Sequence, residues 1–577
     1  MKRRISFVFG CSALLALAGC HARRVPPPAR TGGPETAAVL PARPARNLRA
    51  AAALDRAVAL LRRGKAGAAV SEFHRCLVLE PARQECLDGK GRAHAALREW
   101  EDAVQAWAEL SRLRPEDRKL VQRLAAARRS WKAYLERRAR AATHPAIGAV
   151  SSPAGALPEL RLIARFQRYN PKPVDAADVY DKDIDSPKSV RISSDGSKAY
   201  VNSLEGARTV IYDARTLTKL GTIPHVFGPA RAGLFPGAAP WLGGAFSEDL
   251  PPEGPNVFTG KPVESEFSHG GRFLWVPYYR RNFDLDGTQP SAAAIIDTRT
   301  GAIVRVLPTG PIAKNAAASP DGRYMAVAHW GNNSVGLIDI SSADPMAFSS
   351  AAVIALGPAS PPPGAEAVNR DLECGLCVRG LAWTADSGTL FAGCMGGPGG
   401  IGVISVSSPG SPGLLGRVDL GGKPRDLLVS PDGRWLYVTA SKTGSVLRAE
   451  TAAVINAASA KGPARGIAVT AAKVGGLPRS MKLSPDGKWL YVALNGASEV
   501  AVVDTAGMTV ASRMAADSFP VGLDISPDGG SLWVTSQGID GAGGNSVEVY
   551  SVAVPSAGPP QASPAAGGLQ RVTPPVP

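Results

Sequence analysis

The sequence lacks the long hydrophobic segments of an integral membrane protein and the motifs of a recognisable enzyme. After residue 20 no segment reaches 18 uncharged apolar residues, so no spanning helix is predicted there. Its 577 residues include only seven cysteines and seven histidines. Cys374-Gly375-Leu376-Cys377 is followed by Val378, where a c-type haem attachment motif needs histidine. Because no nucleophile, base and orienting residue recur at a set spacing, the sequence favours a protein that is not an enzyme.

Uncompensated charge is also missing from most of the chain. The net charge is +16, yet residues 159–555 contain 35 Lys and Arg against 36 Asp and Glu. The excess therefore belongs to the N-terminal part. No nucleic-acid binding by the whole molecule is expected, whereas a basic N-terminal region suits an anionic membrane surface or an acidic partner.

The N-terminus reads as an export signal. Met1-Lys2-Arg3-Arg4 precedes a short apolar run that ends in Leu17-Ala18-Gly19-Cys20. This stretch resembles the lipobox of bacterial lipoproteins. The resemblance implies a signal peptide at 1–19, a lipid on Cys20 and a place in the cell envelope. Because His21 rather than Asp follows the cysteine, it implies the outer membrane. An ordinary secretory signal with a chance cysteine is the alternative, and the Pro- and Ala-rich residues 20–46 predict a tether.

Residues 47–140 predict a small all-α domain. Two segments match at a spacing of 34 residues, so that Phe73 corresponds to Trp107 and Pro81 to Pro115. They resemble tetratricopeptide repeats at 50–83 and 84–117, followed by a capping helix at 118–140. The resemblance implies that the domain binds a partner protein. A helical hairpin that only spaces the rest of the chain from the membrane is the alternative.

The remaining chain is organised by a repeated strand–turn–strand unit, for which the 63 glycines and 49 prolines supply turn residues. Seven units predict a mainly β protein, a seven-bladed β-propeller over 159–555, with a linker at 141–158 and a disordered tail at 556–577. The last unit lacks its fourth strand, which residues 160–166 are expected to supply. The first turns of the units are Ser193-Ser194-Asp195-Gly196, Ser268-His269-Gly270-Gly271, Ser319-Pro320-Asp321-Gly322, Thr384-Ala385-Asp386-Ser387, Ser430-Pro431-Asp432-Gly433, Ser484-Pro485-Asp486-Gly487 and Ser526-Pro527-Asp528-Gly529.

These units resemble the YVTN family of propeller repeats, most closely at Trp435-Leu436-Tyr437-Val438-Thr439-Ala440 and at Trp489-Leu490-Tyr491-Val492-Ala493-Leu494-Asn495. The resemblance covers residues 160–555 and implies the fold. Its relatives include surface-layer repeats, binding proteins and lactonase-like enzymes, so it leaves the activity open.

One position of the repeat predicts a ligand site. The residue five before each first turn falls at the mouth of the central channel, and five of these seven positions are basic. They predict a mouth that binds a small anion or an acidic peptide. Ion pairing with neighbours such as Asp426 and Glu264 is the alternative. The seven residues are Lys188, Val263, Lys314, Arg379, Arg425, Arg479 and Val521.

Loops expected on the same face carry aromatic and basic residues of the kind that recognise ligands, namely Tyr278, Tyr279, Arg280, His329 and Trp330. His329 is also a candidate general base, although a hydrogen-bonded loop histidine is the simpler interpretation. The favoured function is therefore a lipid-anchored binding or scaffold protein that recruits a protein partner or an anionic ligand. A lactonase-like hydrolase acting at the channel mouth is the alternative.

Two further motifs concern metals and disulfides. Asn282, Asp284 and Asp286 are spaced like the start of a calcium loop, but Ala293 stands where the bidentate glutamate is needed, so a polar hairpin tip is the alternative. No other cofactor is predicted. Disulfide candidates are Cys76 with Cys86, against two buried thiols, and one bridge within Cys374, Cys377 and Cys394, against a soft-metal site.

Overall fold

The structure is a computed structural model, and it confirms a mainly β, seven-bladed propeller preceded by a helical region. Cys20, the signal peptide and the C-terminal tail lie outside the described residues. The described residues are 43–141, 143–235, 246, 250–358, 370–371, 374–397, 399–407, 412–460, 467–538 and 544–554.

Consecutive helices of the N-terminal region pack on one another. Aromatic side chains of one helix fill the space left by glycines of the next: a Cβ added at Gly91 would lie 2.5 Å from the Trp107 ring, and one at Gly89 would overlap Phe73. Close helix approach therefore requires glycine here. A disulfide between Cys76 and Cys86 joins the second helix to the third. Within the described residues the helices are α1 (Arg43–Arg62), α2 (Ala66–Leu79), α3 (Gln84–Leu97), α4 (Trp100–Leu113), α5 (Arg118–Ala141) and, inside the propeller, α6 (Thr451–Ser459). None of them is long and apolar enough to cross a bilayer.

The propeller strands form seven sheets, numbered here as blades 1 to 7 in chain order, whose strands pair antiparallel except for β1 with β2. In chain order the strands are β1 (Glu159–Gln167), β2 (Asp178–Tyr180), β3 (Pro187–Ile192), β4 (Lys198–Ser203), β5 (Arg208–Asp213), β6 (Thr218–Pro224), β7 (Val226–Phe227), β8 (Phe258–Pro262), β9 (Glu266–Ser268), β10 (Phe273–Arg281), β11 (Ser291–Asp297), β12 (Ala302–Thr309), β13 (Ala313–Ala318), β14 (Tyr324–His329), β15 (Ser334–Asp339), β16 (Ser349–Ala355), β17 (Val378–Trp383), β18 (Thr389–Cys394), β19 (Ile401–Ser405), β20 (Gly413–Val418), β21 (Pro424–Val429), β22 (Trp435–Ala440), β23 (Ser445–Glu450), β24 (Val469–Lys473), β25 (Pro478–Leu483), β26 (Trp489–Leu494), β27 (Glu499–Asp504), β28 (Thr509–Ala515), β29 (Pro520–Ile525), β30 (Ser531–Ser536) and β31 (Ser546–Ala553).

Blades 1, 3, 4, 5 and 6 each have four strands, beginning with β3, β13, β17, β21 and β25. Blade 2 contains β9 to β12 and is extended by β8 and β7, which come from the long connection after blade 1. The innermost strands of neighbouring blades contact each other from β9 through β13, β17, β21, β25 and β29 to β3, and the Ser189 hydroxyl of β3 donates to the Val263 carbonyl of blade 2 at 2.9 Å. The channel is therefore lined by the first strand of each blade.

Blade 7 closes the ring as the sequence predicts. Its strands β29, β30 and β31 come from the end of the propeller, and β1 from its beginning pairs antiparallel with β31. The linker also joins this sheet, since Gly148 N–H donates to the Leu162 carbonyl at 2.8 Å and Ser151 N–H to the Leu160 carbonyl at 2.8 Å. Closure by the two ends of the domain removes the exposed edges that an open ring would have.

The Ser-Pro-Asp-Gly turns are held by the serine hydroxyl. In blade 6 the Ser484 hydroxyl donates to the Asp486 carboxylate at 2.6 Å and accepts a hydrogen bond from the Trp489 N–H at 3.0 Å. The same contacts join Ser526, Asp528 and Ser531 in blade 7. One short side chain thus closes the hairpin, which explains why the motif recurs.

Candidate functional site: the mouth of the central channel

A basic residue occupies the second position of five innermost strands. The pairing register between the first and second strand of each of these blades shifts at this residue, as it does in a β-bulge. A bulge re-aims a side chain relative to the regular alternation of a strand. The five residues, called the mouth cations below, are Lys188 (β3), Lys314 (β13), Arg379 (β17), Arg425 (β21) and Arg479 (β25).

The residue two before each mouth cation has a left-handed backbone. These residues are not glycines, and their φ angles of 51° to 60° are uncommon for residues with a Cβ. Proline follows the left-handed residue in blades 1, 5 and 6, where it fixes the next φ angle. A left-handed residue and a bulge therefore set the start of each of the five strands, and a proline constrains three of them. The left-handed residues are Ser186, Ile312, Cys377, Lys423 and Leu477.

Two of the mouth cations form ion pairs. Arg379 donates to the carboxylate of Glu264, which lies between β8 and β9, and Lys314 Nζ is 3.4 Å from the Asp371 carboxylate. The alternative of structural ion pairing is thus correct for these two residues. It does not extend to Arg425 through Asp426, because the Asp426 carboxylate accepts instead from the Met481 N–H of the next blade at 2.9 Å.

The other three mouth cations form no ion pair with any residue that the structure describes. Lys188 Nζ donates to the Gln537 side-chain oxygen at 3.3 Å. Arg425 Nη1 lies 4.0 Å from the Met395 sulfur, and its buried Nε has no hydrogen-bond partner among the described residues. Arg425 and Arg479 are half-buried, so part of each side chain is exposed to solvent. A ligand in the channel would therefore meet guanidinium groups whose donors are not used in ion pairs with the part of the chain that the structure describes.

The pKa values reflect this crowding of like charge. Burial, together with repulsion from Arg379, lowers the pKa of Arg479 to about 10. Burial and then Arg479 lower the pKa of Lys188 well below its usual value, and burial and then Arg379 do the same for Arg425. Burial alone would raise the pKa of Glu264, but Arg379 and Lys188 hold it below its ordinary value. An added anion would relieve the repulsion.

Asp371 sits in a pocket on one side of the mouth. The Tyr279 hydroxyl donates to its carboxylate, and the Trp330 indole N–H donates to its main-chain carbonyl at 3.1 Å. Lys314 Nζ stands 3.9 Å from the centre of the Tyr279 ring and 4.9 Å from that of Trp330. Burial lowers the pKa of Lys314 to about 7, although Asp371 acts in the opposite direction. The rings of Tyr279 and Trp330 thus lie beside the mouth cation Lys314.

Tyr278 and His329 do not reach the mouth, because both are fully buried. Successive residues of a strand point to opposite faces, so Tyr278 points into blade 2, where its hydroxyl is 2.9 Å from His225 Nδ1. His329 Nδ1 is 2.9 Å from the Ser334 hydroxyl, and burial lowers its pKa to about 3. The simpler interpretation of His329 as a hydrogen-bonded histidine therefore fits, and a general base acting at the mouth does not.

The calcium-like motif contacts protein donors. Asn282 Oδ1 accepts from the Thr259 N–H at 2.7 Å, and the Asp284 carboxylate accepts from the N–H groups of Thr288 and Gln289, both at 3.0 Å. Asp286 accepts from the Ser71 hydroxyl of α2. These oxygens are engaged as in a polar hairpin tip, the alternative interpretation.

This hairpin tip is where the helical region meets the propeller. Besides the contact between Ser71 and Asp286, His74 Nε2 lies 2.9 Å from the Phe283 carbonyl. Leu285 packs against the apolar core of the helices. Arg280, expected at the mouth, stacks its guanidinium 4.8 Å from the Tyr279 ring centre and donates to the Leu285 carbonyl. The contacts of Ser71 and His74 with the hairpin tip, called the dock below, and the channel mouth are therefore neighbours on blade 2.

A disulfide joins Cys374 to Cys377, next to Arg379, and Cys394 is a buried free thiol. In the described part of the chain, one group has metal-ligand atoms within 4.8 Å of one another, formed by His94, Glu99 and Asp102 of the helical region. His94 Nδ1 already contacts Glu99 at 2.7 Å. His94, Glu99 and Asp102 therefore lie in the helical region and not on the strands that carry the mouth cations.

Sequence reasoning missed Asp371 and Gln537 as mouth residues. Asp371 lies in the long connection between blades 3 and 4, where no repeat position marks it. A pattern that could have strengthened the prediction was present, because Pro187, Pro424 and Pro478 each stand directly before a mouth cation.

Solved structures similar to this chain cover 64% to 66% of it. Hydrazine synthase of Kuenenia stuttgartiensis matches with 17% identity and a TM-score of 0.46, covering 66% of this chain and 100% of that chain. The Cps50 (Swd1) β-propeller domain of Myceliophteria thermophila matches with 14% identity and a TM-score of 0.44, over 64% and 97%. A functionally unknown protein from Desulfotomaculum acetoxidans matches with 14% identity and a TM-score of 0.40, over 64% and 89%. No family model and no curated protein matches the chain. These similarities assign no function to the chain.

Proposed function

We propose that this chain is a lipid-anchored binding protein of the bacterial cell envelope, which recruits a protein partner or an anionic ligand at the channel mouth. The observation that carries the proposal is the pair Arg425 and Arg479, which are half-buried on the innermost strands and have no ion pair among the described residues. Free guanidinium donors in a partly desolvated site bind carboxylate and phosphate groups strongly.

The N-terminal sequence supports the location. Its resemblance to a lipobox implies a lipid on Cys20 and outer-membrane attachment. The helical region, through its resemblance to tetratricopeptide repeats, supplies a second binding surface beside the mouth. Labelled palmitate should be incorporated into the unchanged protein and not into Cys20→Ser, and equal labelling of both would contradict the anchor.

A crosslinked pull-down from native membranes tests the binding function. Full-length protein is compared with a variant lacking residues 48–140 and with the double variant Arg425→Ala and Arg479→Ala. The double variant Arg434→Ala and Lys488→Ala is the matched control, because it removes the same charge from exposed hairpins. A partner lost with the mouth variant but kept by the control supports the proposal. The same proteins captured by all variants would contradict it.

A lactonase-like hydrolase remains the rival function. The structure brings the carboxylates of Glu264 and Asp371 among the mouth cations, but Arg379 binds Glu264, Lys314 binds Asp371, and the pKa of each carboxyl is below its ordinary value. Such a carboxylate is a weak base at neutral pH. We therefore favour a binding function over hydrolysis of a lactone. Turnover of lactones by the full chain that is abolished by Glu264→Gln would reverse this order.

A further inference from the structure

The carboxylate of Asp371 shows how the mouth holds an acidic residue. Three side chains converge on this one residue: Tyr279 and Lys314 contact its carboxylate, and Trp330 donates to its main-chain carbonyl. Lys314 is 9% exposed, so its charge acts in a largely water-free pocket with aromatic walls. Recognition of a carboxylate together with a peptide carbonyl is recognition of an acidic amino-acid residue, not of a bare anion.

The remainder of the mouth is left without such a residue. Lys188, Arg425 and Arg479 repel one another and form no ion pair in the described chain, although the charge of Glu264 acts on all three. A ligand that is electrostatically complementary to these cations therefore carries carboxylates in addition to the one that Asp371 provides. A peptide with several acidic residues presents such carboxylates, separated by the spacing of its side chains.

We propose, resting on the binding function above, that the mouth recognises an acidic peptide segment of a partner protein. One acidic side chain of the segment contacts Arg425 and Arg479. Its neighbours compete with Asp371 for Lys314, Tyr279 and Trp330. Asp371 thus acts as an intramolecular competitor that lowers the affinity of the mouth for acidic peptides.

The test uses the full chain and a fluorescein-labelled hexa-aspartate peptide, with hexa-asparagine as the uncharged control. Fluorescence anisotropy at fixed ionic strength should show saturable binding of hexa-aspartate only. Arg425→Ala with Arg479→Ala should weaken it at least tenfold, whereas Arg434→Ala with Lys488→Ala should change it less than twofold. Arg425→Lys with Arg479→Lys, which keeps the charge and loses the paired donors, should weaken it several-fold even if the alanine variant fails to fold.

Asp371→Asn gives a second and opposite expectation. Removing the competing carboxylate should tighten hexa-aspartate binding several-fold, while Glu450→Gln, which removes one exposed carboxylate far along the chain, should leave it within twofold. An unchanged affinity in Asp371→Asn would overturn the role of Asp371 as competitor.

Inorganic phosphate and citrate separate the peptide from a small anion. If either binds to the mouth as tightly as hexa-aspartate, the site is one for small anions and the inference is wrong, although the proposed binding function stands. If hexa-aspartate binds equally well to the arginine variants, the inference is also wrong. If a partner is nevertheless captured from membranes through Arg425 and Arg479, the proposed binding function stands. If no partner is captured, the proposed function and the inference are both wrong.

Discussion

Arg379 on β17 of blade 4 donates a hydrogen bond to Glu264 of blade 2, so one ion pair crosses the mouth past the intervening blade. The two side chains are only 10% and 16% exposed. A buried charge is costly unless it is paired, and this pair satisfies one mouth cation while leaving others in excess. The mouth therefore contains one ion pair that stabilises the fold, together with cations that have no ion pair among the described residues.

Breaking this pair should destabilise the propeller. Arg379→Gln leaves Glu264 buried among fewer positive charges, and the expected loss in the free energy of unfolding is about 3 kcal/mol. Urea denaturation measures it. Lys482→Gln is the control, since Lys482 is more exposed and shares Asp524 with Arg191. A loss for Arg379→Gln no greater than for the control would contradict a structural role for the pair.

Removing an unpaired mouth cation should have the opposite effect. Arg425→Met deletes a desolvated charge that repels Arg379 and Arg479, so the free energy of unfolding should rise by about 1 kcal/mol. The substitution keeps the apolar stem beside Met395. For Lys488→Met, on a side chain that is 74% exposed, we expect a change within about 0.5 kcal/mol. A clear loss of stability in Arg425→Met would indicate that the charge is paired in the folded protein.

Blade 7 should make stability depend on pH. The fully buried Glu548 accepts from the Asp517 N–H at 2.7 Å, and burial together with the Asp517 charge raises its pKa from 4.5 to about 8. Between these values the folded protein holds a proton that the unfolded chain has lost. Its contribution to stability is therefore complete below about pH 4.5 and decreases as the pH rises to about 8, by at most about 1.4 kcal/mol per unit.

Thermal unfolding between pH 5 and pH 8 tests this prediction. Glu548→Gln cannot titrate, so its melting temperature should vary less over this range than that of the unchanged protein. A control is Glu499→Gln, on a carboxylate that is 35% exposed and paired with Arg513. Equal pH dependence in Glu548→Gln and the unchanged protein would show that another group titrates.

The dock between the helical region and blade 2 should open locally when its hydrogen bond is removed. Ser71→Ala with Asp286→Asn loses the contact from α2 to the hairpin tip and should cost about 1 kcal/mol of local stability. Hydrogen exchange of residues 66–79 and 282–289 should accelerate, while strands of blades 4 to 6 remain protected. Arg92→Ala, on an exposed side chain of α3, serves as the control. Uniform acceleration through the propeller would mean that the dock is not a local contact.

Several parts of the site could be predicted from the sequence. The repeat placed Lys188, Lys314, Arg379, Arg425 and Arg479 at equivalent positions, because a strand that starts each blade must line the channel. Periodicity could not distinguish Tyr278 from Tyr279, since one residue along β10 reverses the face on which a side chain lies. It also could not tell which cations find a carboxylate. Glu264 comes from blade 2 and Asp371 from a connection without repeat positions.

By itself, the sequence determined the architecture of this protein. The turn motif and the alternating strands that flank it are repeated seven times. The last repeat lacks its fourth strand, and the extra strand before the first repeat takes that place and closes the ring. The tertiary structure decided the chemistry. The calcium-like motif became the dock for α2, His329 became a buried core residue, and Asp371 was brought to Lys314 from 57 residues away. Local patterns are set by neighbouring residues, whereas burial and charge pairing depend on residues distant in the chain, which only folding brings into contact.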